Sequence, residues 1–219
     1  MITIDQKQAD LLLTTTRALR EDMDFERAVP RSIIKECATI AMQAPAGTPF
    51  PTEHFLIVMD PDKRRLIADL YRKACYPFLE RRRQEITGDD PDSVARRQKL
   101  DSLRWQADIF EKIPALVLAL KNGRVETAET LPQASFYGGI MPIAWSFILA
   151  LRARGLGACW MSLLIAQEKE AAKILGIPDN VTQTALFPIG YYKTDATTPP
   201  MRELRREQLH WDAWGSHGN

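Results

Sequence analysis

Histidine is scarce: His54, His210 and His217 are all that 219 residues provide. Little imidazole is on hand for acid-base work, and no GxSxG, HExxH, P-loop or GxGxxG pattern supplies a nucleophile, a zinc site or a phosphate cradle instead. Cysteine is equally rare. Cys37, Cys75 and Cys159 are odd in number and far apart, which argues against a disulfide framework or a zinc site and for reduced core residues. Net charge is nearly absent, 29 Lys plus Arg against 28 Asp plus Glu leaving +1, so no field invites nucleic acid or an acidic membrane. No Pro/Gly/Ser-rich linker divides the chain, and one domain over residues 1–219 is expected. The opening MITIDQKQAD lacks the apolar stretch of a secretory signal, and a cytoplasmic location is expected. Side chains this poor in reactivity suit a protein that leaves the chemistry to a cofactor and supplies binding and orientation.

What is present centres on residues 135–162, SFYGGIMPIAWSFILALRARGLGACWMS. From Ile140 to Leu151 no charge appears. Pro142 suits the first turn of a helix, and Gly155 suits its left-handed stop just beyond Arg152 and Arg154. Ile143, Trp145, Phe147, Ile148, Leu149 and Leu151 surround this helix with apolar groups, so burial nearly all round is expected. About twelve uncharged residues fall short of the roughly 20 that a bilayer span needs. Ala158-Cys159-Trp160-Met161-Ser162-Leu163 then reads as a buried strand.

Taken in order, residues 6–19 carry a moderate helical signal, and residues 21–29 read as a polar connection. Pro30-Arg31-Ser32 opens a helix that stops near Gln43. Residues 44–51, Ala-Pro-Ala-Gly-Thr-Pro-Phe-Pro, form a shaped loop, because three prolines in so short a stretch remove donors and force extended geometry. His54 to Met59 is a strand, and Asp60-Pro61-Asp62 starts the next helix. Residues 77–112 are highly charged and read as a solvated helical excursion. Ala115-Leu116-Val117-Leu118-Ala119-Leu120 is a strand buried on both faces, residues 121–133 a loop, 167–175 a helix closed by Gly176, and 182–192 a further strand. Strands separated by helices suggest an α+β or α/β layer with four or five strands.

Two arginine groups stand out. Arg17 and Arg20 lie near one end and Arg202, Arg205 and Arg206 near the other, and guanidinium forks match phosphate oxygens. Cys159 lies in an apolar run and is read as a small buried hydrophobe, not a redox thiol.

The order Thr15-Thr16-Arg17-Ala18-Leu19-Arg20, Gln43-Ala44-Pro45-Ala46-Gly47, Ile113-Pro114-Ala115-Leu116-Val117, Gly155-Leu156-Gly157-Ala158-Cys159-Trp160, Leu175-Gly176-Ile177-Pro178-Asp179, Pro188-Ile189-Gly190-Tyr191 and His210-Trp211-Asp212 resembles the FMN-dependent nitroreductase family over almost the whole chain. The resemblance implies an α+β three-layer sandwich, a mixed sheet of four to five strands covered by helices, that forms a homodimer with FMN at the subunit interface. It implies ping-pong transfer of hydride from NADH or NADPH through the flavin to a small acceptor such as a nitroaromatic or quinone, with no catalytic side chain, no metal, no nucleic acid and no membrane. A flavin carrier or sensor without turnover, and a related FMN enzyme such as a dehalogenase or ene-reductase, remain open. By position, Arg17, Ala18 and Arg20 would meet the phosphate, ribityl chain and pyrimidine edge, and Arg202, or Arg205 in its place, the phosphate. Ala44, Pro45, Ala46, Gly47, Thr48 and Pro49 would line one side of the flavin, and Trp160, Met161, Ser162 and Leu163 the other, with backbone groups of Met161, Ser162 and Leu163 near the redox edge.

The loop departs from the family's Ala-Pro-Ser/Thr-Gly-x-Asn-x-Gln, with Ala46, Pro49 and Pro51 replacing the hydroxyl and both amides, and Glu53 or His54 replaces a usual tryptophan. Proline has no side-chain donor and no backbone N–H. Restoring the amides by Pro49→Asn with Pro51→Gln is expected to raise turnover of a simple nitroaromatic while FMN affinity moves by less than about tenfold, roughly 1.4 kcal/mol. Steady-state kinetics with a dinitrobenzene measure it, and an absence of gain overturns this reading of the acceptor site.

Overall fold

The computed structural model describes residues 4–47, 52–194, 199 and 201–217. Contacts divide the chain into two compact units, residues 16–196 and a second unit of residues 1–15 with 197–219.

The larger unit is built on β3 (Ala115–Asn122). Side chains alternate across a strand, and both sides of this one are apolar. Ala115, Val117 and Ala119 join one buried cluster, Leu116, Leu118 and Leu120 the other. β2 (Glu53–Val58) and β5 (Val181–Tyr192) flank it, each antiparallel to it. β1 (Met23–Asp24) and β4 (Leu156–Ala158) add to β5, also antiparallel. The mixed sheet of the sequence reading is thus realised as antiparallel strand pairs. Among the described residues parallel register occurs at the bridge Gly123–Val181.

One face is covered by α2 (Arg31–Ala41) and α5 (Thr130–Arg152). Ile34, Cys37 and Ala41 of α2 meet Ile140, Ile143, Ala144, Phe147, Ile148 and Leu151 of α5. Phe147 is fully buried, its ring centroid 4.6 Å from that of Phe55 and 6.5 Å from that of Phe187. The opposite face carries α3 (Pro61–Gln84), whose Ile67, Ala68, Tyr71, Cys75 and Leu79 enter the core with Ala171 of α6 (Glu168–Leu175). α4 (Pro91–Asp108) returns along α3. The charged excursion is therefore two helices, and α3 continues through Pro77 because the carbonyl that loses its donor, that of Lys73, is on an exposed residue that water can satisfy.

α5 departs furthest from expectation. It starts at Thr130, so the loop expected over residues 121–133 is shorter, and Gly138, Gly139 and Pro142 lie inside the helix. The missing Pro142 N–H leaves the carbonyl of Gly138 without its helical donor, at an exposed position reachable by water. At 23 residues the helix is long and apolar enough to cross a membrane, so the length argument against a span does not hold. Its packing against α2 and the sheet is that of a core helix. Burial is also one-sided: Leu131, Met141 and Trp145 are exposed, while Ile148 is 3% exposed and belongs to the core. Gly155, at φ +74, terminates the segment as expected.

In the smaller unit α1 (Gln6–Thr15) stops four residues short of the expected Leu19. The tail holds a short 3-10 turn, Arg206–Gln208, and a ring cluster in which His210 stacks on Trp214 at 4.2 Å and lies 4.7 Å from His217.

α6 is tied to the sheet by Glu168, which accepts two bonds from Arg124 and one from the Gln183 N–H. Burial raises the affinity of this carboxyl for a proton, but the Arg124 guanidinium and the Gln183 N–H outweigh it and hold the pKa below the ordinary 4.5. A depressed carboxyl contributes stability that is present above the unfolded value and lost as pH falls below it. The urea midpoint of the wild type should therefore fall more steeply than that of Glu168→Gln as pH drops below 4.5. Equal slopes would show that this bridge contributes nothing measurable.

Candidate functional site

The arginine segment is placed by a backbone bond, Leu19 N–H donating to the Ala158 carbonyl at 3.0 Å. Gly157 makes this approach possible, since a Cβ there would stand 2.9 Å from Leu19 Cδ2 and 2.8 Å from the Tyr192 ring. Two of the expected site segments, residues 17–20 and 160–163, are thereby brought together. Arg17 is half-buried and donates from Nη1 to the Thr16 carbonyl at 3.0 Å, and Ala18 is exposed. Arg20 turns inward toward Cys159, and its Nε is buried with no hydrogen-bond partner among the described residues.

The second segment is half strand and half turn. Met161 exchanges both backbone bonds with Leu186, at 3.0 and 2.8 Å, so its N–H and carbonyl are committed to the sheet and cannot face a ligand, contrary to expectation. A 3-10 turn, Leu163–Gln167, follows Ser162, where a longer strand was expected. Trp160 is 40% exposed and packs edge-on against Phe187 at 5.1 Å, and Ser162 is also exposed. These two side chains, not the Met161 backbone, offer the accessible surface here.

Cys159 is 1% exposed, and burial pushes its thiol up while Arg20 pulls in the opposite direction. Burial also raises Cys37 and Cys75, and all three are free and buried. None has the exposed, low-pKa character of a nucleophile.

The 44–47 segment lies elsewhere. Ala46 packs on α5, where a Cβ on Gly139 would stand 2.8 Å from the Ala46 carbonyl oxygen. The same Cβ would stand 2.6 Å from Lys121 Nζ and 3.5 Å from Glu53 Oε1. Glu53 and Lys121 face each other across β2 and β3 as a salt bridge, their side chains 3% and 8% exposed. Burial raises the Glu53 carboxyl, and the bonds from Lys121 and from the Thr52 hydroxyl and N–H overcome this and leave it depressed. Sequence alone left open whether Glu53 or His54 takes the usual tryptophan's place. Glu53 points inward, while His54 bonds Asn122 Oδ1 on the outside at 3.1 Å. The pair was missed because the sequence reading began one strand at His54 and ended the other at Leu120, leaving both charges just outside; their shared register is visible only once β2 and β3 are aligned.

Within one chain the two expected flavin walls do not face each other. Leu56, Leu118, Leu186 and Met161 lie in one row across β2, β3, β5 and the bridging segment. Ala46 lies by contrast beside Glu53 and Lys121, which align with Thr182 of β5, four residues along that strand from the Leu186 that bridges Met161, so the two walls are separated by roughly 13 Å along the sheet as well as by the strands between them. Pro49 and Thr48 fall outside the described residues. Arg202 and Arg205 belong to the smaller unit, where both are exposed and Arg205 N–H donates to Gln208 Oε1 at 2.9 Å.

Comparison with known proteins gives a consistent picture. The sequence profile of the nitroreductase family matches residues 15–191. Mouse iodotyrosine deiodinase 1 is 25% identical over 186 residues, which are 83% of this chain and 61% of that protein, so the chain spans less than two thirds of this relative. A structure of iodotyrosine deiodinase bound to FMN and 3-iodo-L-tyrosine superimposes with a TM-score of 0.66 at 18% identity, covering 92% of this chain and 97% of that one. Nitroreductase A from Vibrio parahaemolyticus gives 0.67 at 12% identity, covering 98% of this chain and 78% of the other.

Proposed function

This chain belongs to the nitroreductase family, and from that premise we propose that it is an FMN-dependent oxidoreductase working as a homodimer, with NADH or NADPH as donor and a small aromatic or quinone as acceptor. The observation that carries the reading is the placing of Arg17 and Arg20 beside residues 158–160 through the Leu19 to Ala158 bond. The residues fit the cofactor. The buried Arg20 Nε is an unspent donor at that point, and a guanidinium donor is worth most against an anionic or carbonyl acceptor in a desolvated setting. Bound there, FMN would supply the two-electron redox chemistry that the side chains lack. Arg17 and Arg20 would bind and orient it, and Trp160 would exclude water from one side.

The distance between the walls in one chain supports the dimer. A flavin site using both residues 44–47 and residues 160–163 is complete when a second copy brings the missing wall. The exposed stripe of α5, Leu131, Met141 and Trp145 with Ala134, Ser135 and Gly138 between them, is a surface of the apolar kind that such a copy would cover.

The relation to iodotyrosine deiodinase 1 favours a second reading, reductive dehalogenation of a halogenated aromatic. The two readings share cofactor and fold and differ in acceptor.

Purified protein loaded with FMN should lose its flavin absorbance when NADH or NADPH is added without oxygen, and regain it with the acceptor, a nitroaromatic or a halophenol deciding between the readings. Arg17→Ala should weaken FMN binding by about 1.5 to 3 kcal/mol with little loss of fold. Protein that takes up no FMN overturns the proposal.

Placing a charge on the exposed stripe tests the dimer. Trp145→Asp should convert the dimer to monomers in size-exclusion chromatography and release FMN with them, since an unpaired carboxylate in a buried interface costs several kcal/mol. A monomeric wild type, or a variant that stays dimeric, removes α5 from the interface.

A further inference from the structure

A buried ion pair is an expensive way to fill space. Taking two charges out of water costs more than hydrophobic side chains of the same size, so the Glu53–Lys121 pair is poor evidence for stability and calls for another role. Its surroundings indicate which. Glu53 is the first residue of β2, and Thr52, on the exit side of the loop, donates to the Glu53 carboxylate from both its hydroxyl and its N–H. On the entry side, the Ala46 carbonyl and the Lys121 ammonium close on the same point of α5, the missing Cβ of Gly139. The Thr52 carbonyl in turn accepts from Asn122 N–H, next to Lys121, at 2.8 Å. Both described ends of the loop between α2 and β2 therefore converge on one pair of buried charges. Lys121 Nζ also lies 5.2 Å from the Phe136 ring centre, so α5 contacts the ammonium through two residues.

We propose that the Glu53–Lys121 pair is the anchor that fixes residues 44–47 and Thr52, the described ends of the connection between α2 and β2, making Lys121 and Glu53 positioning residues for the wall of the flavin site that residues 44–47 provide. The inference rests on the reading of those residues as a flavin wall. Neither charge touches the cofactor in this account. The carboxylate holds the exit strand through Thr52, and the ammonium, seated against Gly139, fixes how closely the entry segment packs on α5. An apolar pair would fill the same volume but would give Thr52 nothing to donate to and would let the two ends of the loop move independently.

The test separates anchoring from mere packing. In the double variant Glu53→Leu/Lys121→Met both charges go together, so no unpaired charge is left buried and the fold should hold, with a thermal midpoint equal to or above that of the wild type. The expected result is at least a tenfold rise in the FMN dissociation constant, read by fluorescence titration, together with faster amide hydrogen exchange at residues 44, 46, 47 and 52 in the flavin-free protein. Unchanged exchange with FMN affinity within threefold of the wild type overturns the proposal while leaving the flavin reading intact. A wild type that takes up no FMN brings down the flavin reading and this inference with it. Should the double variant fail to fold, Gly139→Ala decides: its methyl would press on both Lys121 Nζ and the Ala46 carbonyl, so FMN binding should weaken at least tenfold in a folded protein, and unaltered binding overturns the anchor.

Discussion

Ala115, Val117 and Ala119 meet α2 and α5 while Leu116, Leu118 and Leu120 meet α3 and its neighbours, so β3 has no face left for water. The strands and helices that pack directly on it are placed by this demand. Two helical layers are required to cover the two faces, and β2 and β5 are required on the edges because the backbone of a buried strand must spend all its donors and acceptors. Once β5 is fixed, its other edge recruits β4 and the Met161 bridge, and the chain leading into β1 is drawn against Ala158. The arginine segment is thus positioned three steps away from β3, by strand pairing together with the packing of the Leu19 side chain on Gly157.

The same demand explains what could be read from sequence and what could not. The run Ala115 to Leu120 has no polar residue, so its double burial was legible, and so were Gly155 and Gly176 as left-handed stops. The start of α5 was not. Gly138, Gly139 and Pro142 are residues that ordinarily begin a helix or end one, and their presence inside it depends on where the helix lies. Gly138 is exposed, so its freed carbonyl can bond water, and Gly139 must be small because Lys121 and Ala46 occupy the space beside it. Propensity cannot report a tertiary neighbour. β1 escaped notice for a simpler reason: two residues, Met23 and Asp24, are too few to carry a period of two.

The candidate site was legible as a set of segments and illegible as an arrangement. Motif order gives Arg17 to Arg20, Ala44 to Gly47 and Trp160 to Leu163 without saying which face which. Strand register supplies that, joining the first to the third through Leu19 and Ala158 and placing the second on the opposite edge of the sheet. It also reverses roles within a segment. The Met161 backbone, expected near a ligand, is consumed by Leu186, and the exposed groups are the side chains of Trp160 and Ser162.

Charge burial follows the same logic at a finer scale. Hydrophobic contacts hold β2 against β3 anywhere the apolar faces coincide, and a slip by two residues would keep every face apolar. A single salt bridge between cross-strand partners does not tolerate such a slip, because Glu53 or Lys121 would then sit buried without its counter-charge, a loss of about 3 to 5 kcal/mol. The pair therefore sets register where it matters to the site, at the end of β2 that receives the loop. Farther along the same strand, where Val58 enters the core and no loop of the site begins, apolar packing alone suffices.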